Sequence, residues 1–269
     1  MADSRPETTG AERLIGRDRI VALLVRLLSH GKSALLVGPE GIGKTAVLQT
    51  VTARIQREPG MPRPVYCERV GALKELLAGI AEAIAQEAPG FRAKRPGALR
   101  LWTRGKLRRL VVPHLLTGRY ALFLDHVVPV HGPVERFLES MVDMGRVPII
   151  AAARSLDPGA TGRLWWVGWH FERVEIAPLT PLQSRRLIEQ TLDATGLALP
   201  DREAFVRELA RRAEGNPRLI TRLCRMAGSP KYRVGGGTSL DLLLLDNRIH
   251  ALHASIEMAR VEERSPRWN

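Results

Sequence analysis

The sequence predicts an α/β protein in which a parallel β-sheet flanked by helices is followed by an all-helical domain. Short apolar segments alternate with helical patterns as far as Pro178, an order typical of a doubly wound parallel sheet. After Pro178 only helical patterns follow. A glycine-rich segment between the first predicted strand and the next helix is the third observation behind this prediction. The strands are expected at residues 33–37, 64–68, 120–125 and 147–152, with an edge strand at 172–176.

Helices are predicted between and after these strands. The first lies within residues 11–30 and is amphipathic, with apolar side chains spaced to share one helix face. The others are expected at 71–87, 98–117, 134–144, 181–194, 201–214, 217–227 and 239–260. The chain therefore divides into a disordered N-terminus at 1–10, an α/β domain at 11–178, a helical lid at 179–230, and a segment at 231–269 that joins a flexible glycine run to a C-terminal helix.

The glycine-rich segment fits the phosphate-binding pattern G-x-x-x-x-G-K-[ST] at every fixed position. Its glycines let the backbone wrap a polyphosphate with N–H groups aimed inward, and the helix N-terminus adds partial positive charge. Lys44 is expected to reach the β and γ phosphates, and Thr45 to hold Mg²⁺ through its hydroxyl. A chance match is the alternative, and the flanking strand and helix disfavour it. The loop consists of Gly38, Pro39, Glu40, Gly41, Ile42, Gly43, Lys44 and Thr45.

A carboxylate, Asp125, ends the apolar strand predicted at 120–125. In an open α/β sheet this position lies in the crevice where ligands bind, and a carboxylate there orders the Mg²⁺ shell. An ordinary strand that ends in a turn-forming Asp is the alternative. Because the phosphate-binding pattern precedes it, we favour the metal-binding role for Asp125.

The residue after Asp125 is His126, at a position where many nucleotide hydrolases carry a second acid that orients the attacking water. A neutral imidazole can accept a proton near neutral pH, but a cationic imidazole beside Mg²⁺ and triphosphate would be a poor base. Glu135 and Glu40 are more remote candidates for this role. The sequence therefore predicts slow hydrolysis, or nucleotide binding without efficient hydrolysis.

Length and composition indicate a globular chain, because 269 residues with 45% hydrophobic content can form a core in one large or two modest domains. No apolar run approaches the ~20 residues of a membrane span, and residues 1–10 lack the apolar core of a signal peptide. A cytoplasmic protein without membrane contact is therefore expected. Cys67 and Cys224 are far apart and lack Cys or His neighbours at ligand spacing, which indicates buried thiols.

The net charge of +13 points to an acidic partner such as DNA. The basic stretch 92–109 belongs to a segment without any carboxylate, and its helical pattern predicts Arg100, Arg104 and Arg108 on one helix face. The alternative is a solvated surface in an arginine-rich proteome. A second cluster contains Arg207, Arg211, Arg212, Arg218, Arg222, Arg225, Lys231 and Arg233.

Two apolar features fit no part of a nucleotide site. The tryptophans at 165, 166 and 169 predict a packing cluster under a loop or, if exposed, a surface for a partner protein. The C-terminal helix carries a long apolar stripe, which we expect to pack on the lid rather than to form an oligomer interface. The stripe consists of Leu240, Leu242, Leu243, Leu244, Ile249, Leu252 and Ile256.

Short motifs along residues 11–228 occur in the order seen in AAA-type and STAND-type P-loop ATPases. The phosphate-binding loop is specific alone, and the others are specific only in combination. The chain resembles the ATPase core plus lid of these proteins, and is most similar to their origin-recognition-like and transposition-helper-like groups. The motifs are Leu14-Ile15-Gly16-Arg17, the loop itself, Leu124-Asp125, Ala153-Arg154, Ala177-Pro178-Leu179 and Gly215-Asn216-Pro217-Arg218.

The resemblance implies that the nucleotide is ATP, bound with Mg²⁺. It also implies that Ile15 and Gly16 lie near the adenine, that Arg154 senses the γ phosphate, and that Pro217 or Arg218 reports the nucleotide state from the lid. An arginine at a strand end can make a bidentate contact that disappears after hydrolysis. The alternatives are a surface role for Arg154 and a simple turn before the lid helix.

Three functions follow as alternatives. The first is an ATP-dependent switch that assembles with protein partners or with copies of itself. The second is a DNA-binding ATPase that helps transposition or replication, and the third is a nucleotide-binding scaffold without turnover. The salt dependence of DNA affinity separates the second from the first, and a phosphate-release assay separates both from the third. Since no acceptor-substrate site is visible, a small-molecule kinase has the least support.

Overall fold

A computed structural model describes residues 14–68, 70, 72–87, 97–127, 132–157 and 170–264. The chain divides into two compact units, Met1–Ala177 and Pro178–Asn269. Three predictions fall outside the described residues: the disordered N-terminus at 1–10, the first basic residues of the stretch 92–109, and the tryptophan cluster at 165–169.

The first unit is built on a parallel five-stranded sheet in the order β2-β3-β4-β1-β5. Every residue of β1, β3 and β4 is buried, because these apolar strands lie inside the sheet with helices on both faces. The predicted α/β fold class is thereby confirmed, including the edge position of the fifth strand. The strands are β1 Ala34–Val37, β2 Arg63–Cys67, β3 Tyr120–Leu124, β4 Ile149–Ala153 and β5 Glu172–Glu175.

Helices cover the two faces of this sheet and form two apolar cores. Side chains alternate between the faces along each strand, so that Leu36 and Phe123 pack against α1 and α2, while Leu35 and Leu122 pack against α3, α4 and α5. The helices are α1 Asp18–Ser29, α2 Lys44–Ile55, α3 Leu73–Glu87, α4 Arg104–Leu115 and α5 Pro133–Asp143.

The helix predicted at 98–117 is interrupted. Residues Ala98–Leu101 form a 3-10 turn, and α4 begins only at Arg104. Thr103 has extended backbone angles and caps α4 by accepting a hydrogen bond from the N–H of Lys106. The prediction that Arg100 shares a helix face with Arg104 and Arg108 is therefore wrong.

The second unit contains the predicted helices around their own apolar core. Thr180 begins the first of them with a reciprocal capping box to Gln183, and Asn216 caps the third through its side-chain oxygen. The helices are α6 Pro181–Ala194, α7 Arg202–Arg212, α8 Pro217–Met226 and α9 Leu240–Arg264, with a 3-10 turn at Pro230–Tyr232 before α9.

The second unit also contains a small hairpin that the all-helical prediction missed. Strands β6 Arg233–Val234 and β7 Gly237–Thr238 pair antiparallel, and Gly235 and Gly236 form the two-residue turn with φ of 58° and 84°. Paired left-handed glycines match the twist of a tight hairpin. The glycine run that the sequence predicts to be a flexible joint thus forms the turn of this hairpin, and its flexibility stays a prediction.

A membrane-spanning helix requires about 20 apolar residues. Within the described ranges, no helix combines the length and the apolarity that crossing a membrane requires.

Candidate functional site

Three of the predicted site elements follow the carboxyl ends of three adjacent strands. The phosphate-binding loop leaves β1, Asp125 follows β3, and Arg154 follows β4. Because β3, β4 and β1 are neighbours in a parallel sheet, their carboxyl ends lie on the same edge. The strand order therefore brings these elements together.

The backbone of the phosphate-binding loop requires glycine for two different reasons. Gly43 caps α2 with a φ of 102°, a left-handed conformation that side chains disfavour. Gly38 is required by space, since a Cβ there would lie 3.0 Å from Cγ2 of Ile42 and 3.3 Å from the carbonyl oxygen of Ile176. By contrast, a Cβ at Gly43 would meet nothing within 4 Å, so the loop is open beside the start of α2.

The Lys44 ammonium lies within the loop that carries it. Its Nζ donates hydrogen bonds to the carbonyl oxygens of Gly38 at 2.6 Å and Pro39 at 2.9 Å. Burial lowers the pKa of Lys44, and the nearby charge of Arg154 lowers it further, while Asp125 and Glu40 oppose this shift. The cation is thus held in place and partly removed from water before any anion binds.

Arg154 contacts the loop through Glu40. Its Nη2 lies 2.9 Å from Oε2 of Glu40, and the two side chains are 70% and 55% exposed. An ion pair this exposed contributes little to stability, about 0–1 kcal/mol. Arg154 can therefore exchange Glu40 for a stronger anion at low cost. The contact also engages Glu40, one of the remote candidates for orienting water.

Asp125 is 2% exposed, and hydrogen bonds fix both of its oxygens. Oδ2 accepts from the Tyr66 hydroxyl at 2.8 Å, and Oδ1 accepts from the backbone N–H of His126 at 2.8 Å. Burial raises the pKa of Tyr66, and the hydrogen bond to Asp125 raises it further, so the phenol stays a donor. Sequence reasoning missed Tyr66, whose signal is its place near the end of the strand beside β3.

His126 has an unusual backbone. Its φ is 46°, a left-handed value that is uncommon for residues other than glycine. The imidazole is 65% exposed, and its Nε2 lies 3.7 Å from Oδ2 of Asp125. Glu135 lies in the first turn of α5 and is buried. The side chain next to Asp125 is therefore a solvent-facing imidazole, where many nucleotide hydrolases have a carboxylate.

The motif around Ile15 and Gly16 contacts the loop through the next residue, Arg17. Gly16 is left-handed with a φ of 70°, and Ile15 is half-buried. The buried guanidinium of Arg17 donates to the carbonyl oxygens of Ile42 at 3.2 Å and Ala177 at 2.8 Å. Burial lowers the pKa of Arg17. The sequence singled out Arg17 only as the last residue of a motif, without a role. In the structure its side chain bonds to the phosphate-binding loop.

Pro217 and Arg218 belong to the second unit, where they open α8. Proline suits this first helical position because it has no N–H to leave unpaired. The turn before them is tight, since the Asn216 N–H donates to the Ala213 carbonyl oxygen at 2.8 Å, and the Leu179 N–H donates to the Gly215 carbonyl oxygen at 2.9 Å. The role of Pro217 and Arg218 in reporting the nucleotide state stays a prediction.

The donor set fits a magnesium ion that is shared with phosphate. Thr45 supplies a hydroxyl in the first turn of α2, and Asp125 supplies an oriented carboxylate. Within the described ranges no three His, Cys, Asp or Glu side chains form a complete metal cage. Mg²⁺ usually binds through one or two carboxylates plus phosphate and water, so a complete cage is not needed.

Solved structures with the same fold include nucleotide-dependent proteins. The Orc1 protein of Aeropyrum pernix in complex with DNA has a TM-score of 0.61 and 23% identity, covering 94% of this chain and 68% of that one. A Walker-type ATPase of Pyrococcus abyssi has a TM-score of 0.59 and 16% identity, covering 97% of this chain and 80% of that one.

The replication initiator DnaA bound to AMPPCP and single-stranded DNA has a TM-score of 0.54 and 16% identity, with 86% of this chain and 63% of that one covered. No family model matches the sequence, and no curated protein matches it. The chain therefore has the fold of the origin-recognition-type AAA ATPases.

Proposed function

We propose that the protein is a switch that binds ATP with Mg²⁺, hydrolyses it slowly, and changes its assembly with protein partners according to the bound nucleotide. One observation carries the proposal: the Lys44 ammonium is held by the carbonyl oxygens of Gly38 and Pro39, in a loop that lies at the same edge of the sheet as Asp125 and Arg154. Together these groups supply a phosphate-binding cation, a metal-binding carboxylate and a second cation that can be displaced.

Each residue has a definite part in this proposal. The loop N–H groups and the start of α2 bind the phosphates, and Lys44 adds a full positive charge. Thr45 and Asp125 would hold Mg²⁺, which neutralises charge on the β and γ phosphates. Tyr66 and the His126 N–H fix the orientation of the Asp125 carboxylate.

Arg154 supports the switching part of the proposal. Its exposed pair with Glu40 is weak, whereas an arginine bound to phosphate makes strong bidentate hydrogen bonds. A γ phosphate would therefore draw Arg154 away from Glu40, and loss of that phosphate would allow the ion pair to form again. The two positions of one side chain distinguish the two nucleotide states.

Slow turnover follows from the residue after the metal-binding carboxylate. We expect His126→Glu to speed phosphate release at saturating ATP, because a carboxylate can accept a proton from water beside Mg²⁺. We expect Asp125→Asn to slow release by weakening the metal site. Both rates can be measured by a phosphate-sensor assay on the same preparation.

Two outcomes would contradict this account. The first is that the wild type hydrolyses ATP rapidly and His126→Glu hydrolyses it more slowly. The imidazole or a distant Glu would then be the group that orients or deprotonates the attacking water. Absence of phosphate release from both the wild type and His126→Glu, with ATP still bound, would favour the scaffold without turnover. His30→Glu is a suitable control, because it makes the same change at an exposed position after α1.

DNA binding controlled by ATP is the second candidate function. The observation in its favour is the exposure of Arg104, Lys106, Arg108 and Arg109 along α4. Arg100 contributes less, since it is paired with Glu82 at 3.3 Å. Two of the proteins with this fold were solved with DNA.

The DNA candidate predicts a change in salt dependence. Replacing Arg104 and Arg108 with Glu should weaken binding to all DNA sequences and lower the slope of log affinity against log salt by about two phosphate contacts. The control is Arg19→Glu with Arg26→Glu, the same charge change on exposed positions of α1. Equal slopes for the two double variants would favour the switch that assembles with proteins.

A further inference from the structure

The last helix, α9, presents apolar side chains on two sides. Leu240 and Leu243 are buried against the rest of the second unit. Beyond them a second row of side chains is between 39% and 63% exposed. The expectation that the whole stripe packs on the unit is therefore wrong. The exposed row, which we call the outer stripe, consists of Leu242, Leu245, Ile249, Leu252 and Ile256.

The spacing of the outer stripe is that of a coiled-coil seam. Its residues follow one another at intervals of three, four, three and four, so that they occupy successive a and d positions of a heptad. At about 100° per residue, these positions lie about 100° to 180° around the helix from Leu243, which contacts the core. The stripe is about 21 Å long at 1.5 Å per residue.

The burial of Leu240 and Leu243 sets the rotation of α9 so that the outer stripe faces away from the core of its unit, and polar contacts agree with this rotation. Asp241 pairs with Arg212 of α7. Five residues later, Asp246 accepts hydrogen bonds from Lys231 at 2.8 Å and from the Tyr232 hydroxyl. Turning the stripe inward would break these contacts and expose Leu243. Rolling the helix would therefore bury the outer stripe only by exposing the fully buried Leu243.

We propose that the outer stripe is a self-association surface through which two copies of the chain pair as an antiparallel coiled coil. A second copy is the simplest occupant, because a narrow apolar heptad seam is complementary to itself. This inference is independent of nucleotide binding.

The charged residues beside the outer stripe select the antiparallel orientation. In a parallel pair, Asp241 would face Asp246 of the second copy, and Arg248 would face His253, which places like groups together. In an antiparallel pair centred between Ile249 and Leu252, Asp246 faces His253 instead. An imidazole can donate a hydrogen bond to a carboxylate in either protonation state.

The first test is the mass of the full chain by sedimentation equilibrium over a hundredfold range of concentration. The wild type should shift from monomer to dimer as concentration rises. Ile249→Asp should weaken association by at least about tenfold, since it buries a charge in the seam. Ala251→Asp is the control, because it makes a comparable change at an exposed position of α9 outside the stripe. Both variants should have the helix content of the wild type when measured by circular dichroism.

The second test addresses orientation by disulfide formation. A mixture of Ile249→Cys and Leu252→Cys chains should cross-link as a mixed dimer, because these two positions face each other in the antiparallel pair. The native thiols should not interfere, since Cys67 and Cys224 are buried and burial raises the pKa of each to about 12.

Specific outcomes would overturn the proposal. A wild-type chain that stays monomeric at every concentration would do so. The same would follow if Ile249→Asp and Ala251→Asp had equal effects on association. Cross-linking of Ile249→Cys chains with one another, in preference to the mixed dimer, would overturn the antiparallel arrangement.

Discussion

Replacing Lys44 with alanine is expected to weaken ATP binding by about tenfold or more, the effect of losing one charged hydrogen-bonding group. No other side chain of the phosphate-binding loop carries a positive charge. Titration calorimetry of the wild type and the variant with ATP and Mg²⁺ measures the difference directly.

The structure also predicts that Lys44→Ala leaves the fold intact. The Lys44 ammonium contacts only exposed or part-buried carbonyl oxygens of Gly38 and Pro39, which water can satisfy. Lys106→Ala is the matched control, since Lys106 is exposed on α4. If Lys44→Ala bound ATP as tightly as Lys106→Ala, with both folded, the assignment of the phosphate-binding loop would fail.

The second large effect is expected at Gly215, where alanine should destabilise the second unit by about 3 kcal/mol or more. Gly215 has a φ of 70°, and a Cβ there would lie 2.3 Å from the carbonyl oxygen of Leu179. Backbone atoms cannot move aside as a side chain can. We expect hydrogen exchange to show lost protection at the starts of α6 and α8, which flank this contact.

Gly196→Ala separates backbone strain from collision. Gly196 has a similar φ of 62°, but a Cβ there would meet nothing within 4 Å. Its replacement should therefore cost only about 1 kcal/mol, the strain of a left-handed residue. Equal loss of protection in the two variants would show that the short distance to Leu179 has no energetic consequence.

Much of the fold could be predicted because its strongest signals are local. The runs that became β1, β3 and β4 are apolar throughout, as expected for strands buried on both faces. The predictions of secondary structure were wrong where one or two residues interrupt a longer periodic pattern. Thr103 stops the helical pattern at 98–117 by capping α4, and strands of two residues beside Gly235 and Gly236 are too short to show any periodicity.

The candidate site was predictable only in part, for a similar reason. The loop, Asp125 and Arg154 follow strands, and carboxyl ends of parallel strands share one edge, so their grouping follows from the fold class. Contacts between distant segments depend on the order of strands in the sheet. The alternation of strands and helices along the sequence does not reveal that order. The Tyr66 hydroxyl therefore reaches Asp125 only because β2 lies beside β3. The chemical roles of these residues remain predictions.

The buried guanidinium of Arg17 has a mechanical consequence. It bonds to the Ile42 carbonyl within the phosphate-binding loop and to the carbonyl of Ala177, the last residue of the first unit. If a bound phosphate displaced Ile42 by about 1 Å, its 3.2 Å bond would pass beyond hydrogen-bonding range. Either Arg17 follows and pulls on Ala177, or a buried donor is left unpaired at a cost of about 1–3 kcal/mol. Arg17 is thus a rigid tether through which the loop can transmit strain to the end of its own unit.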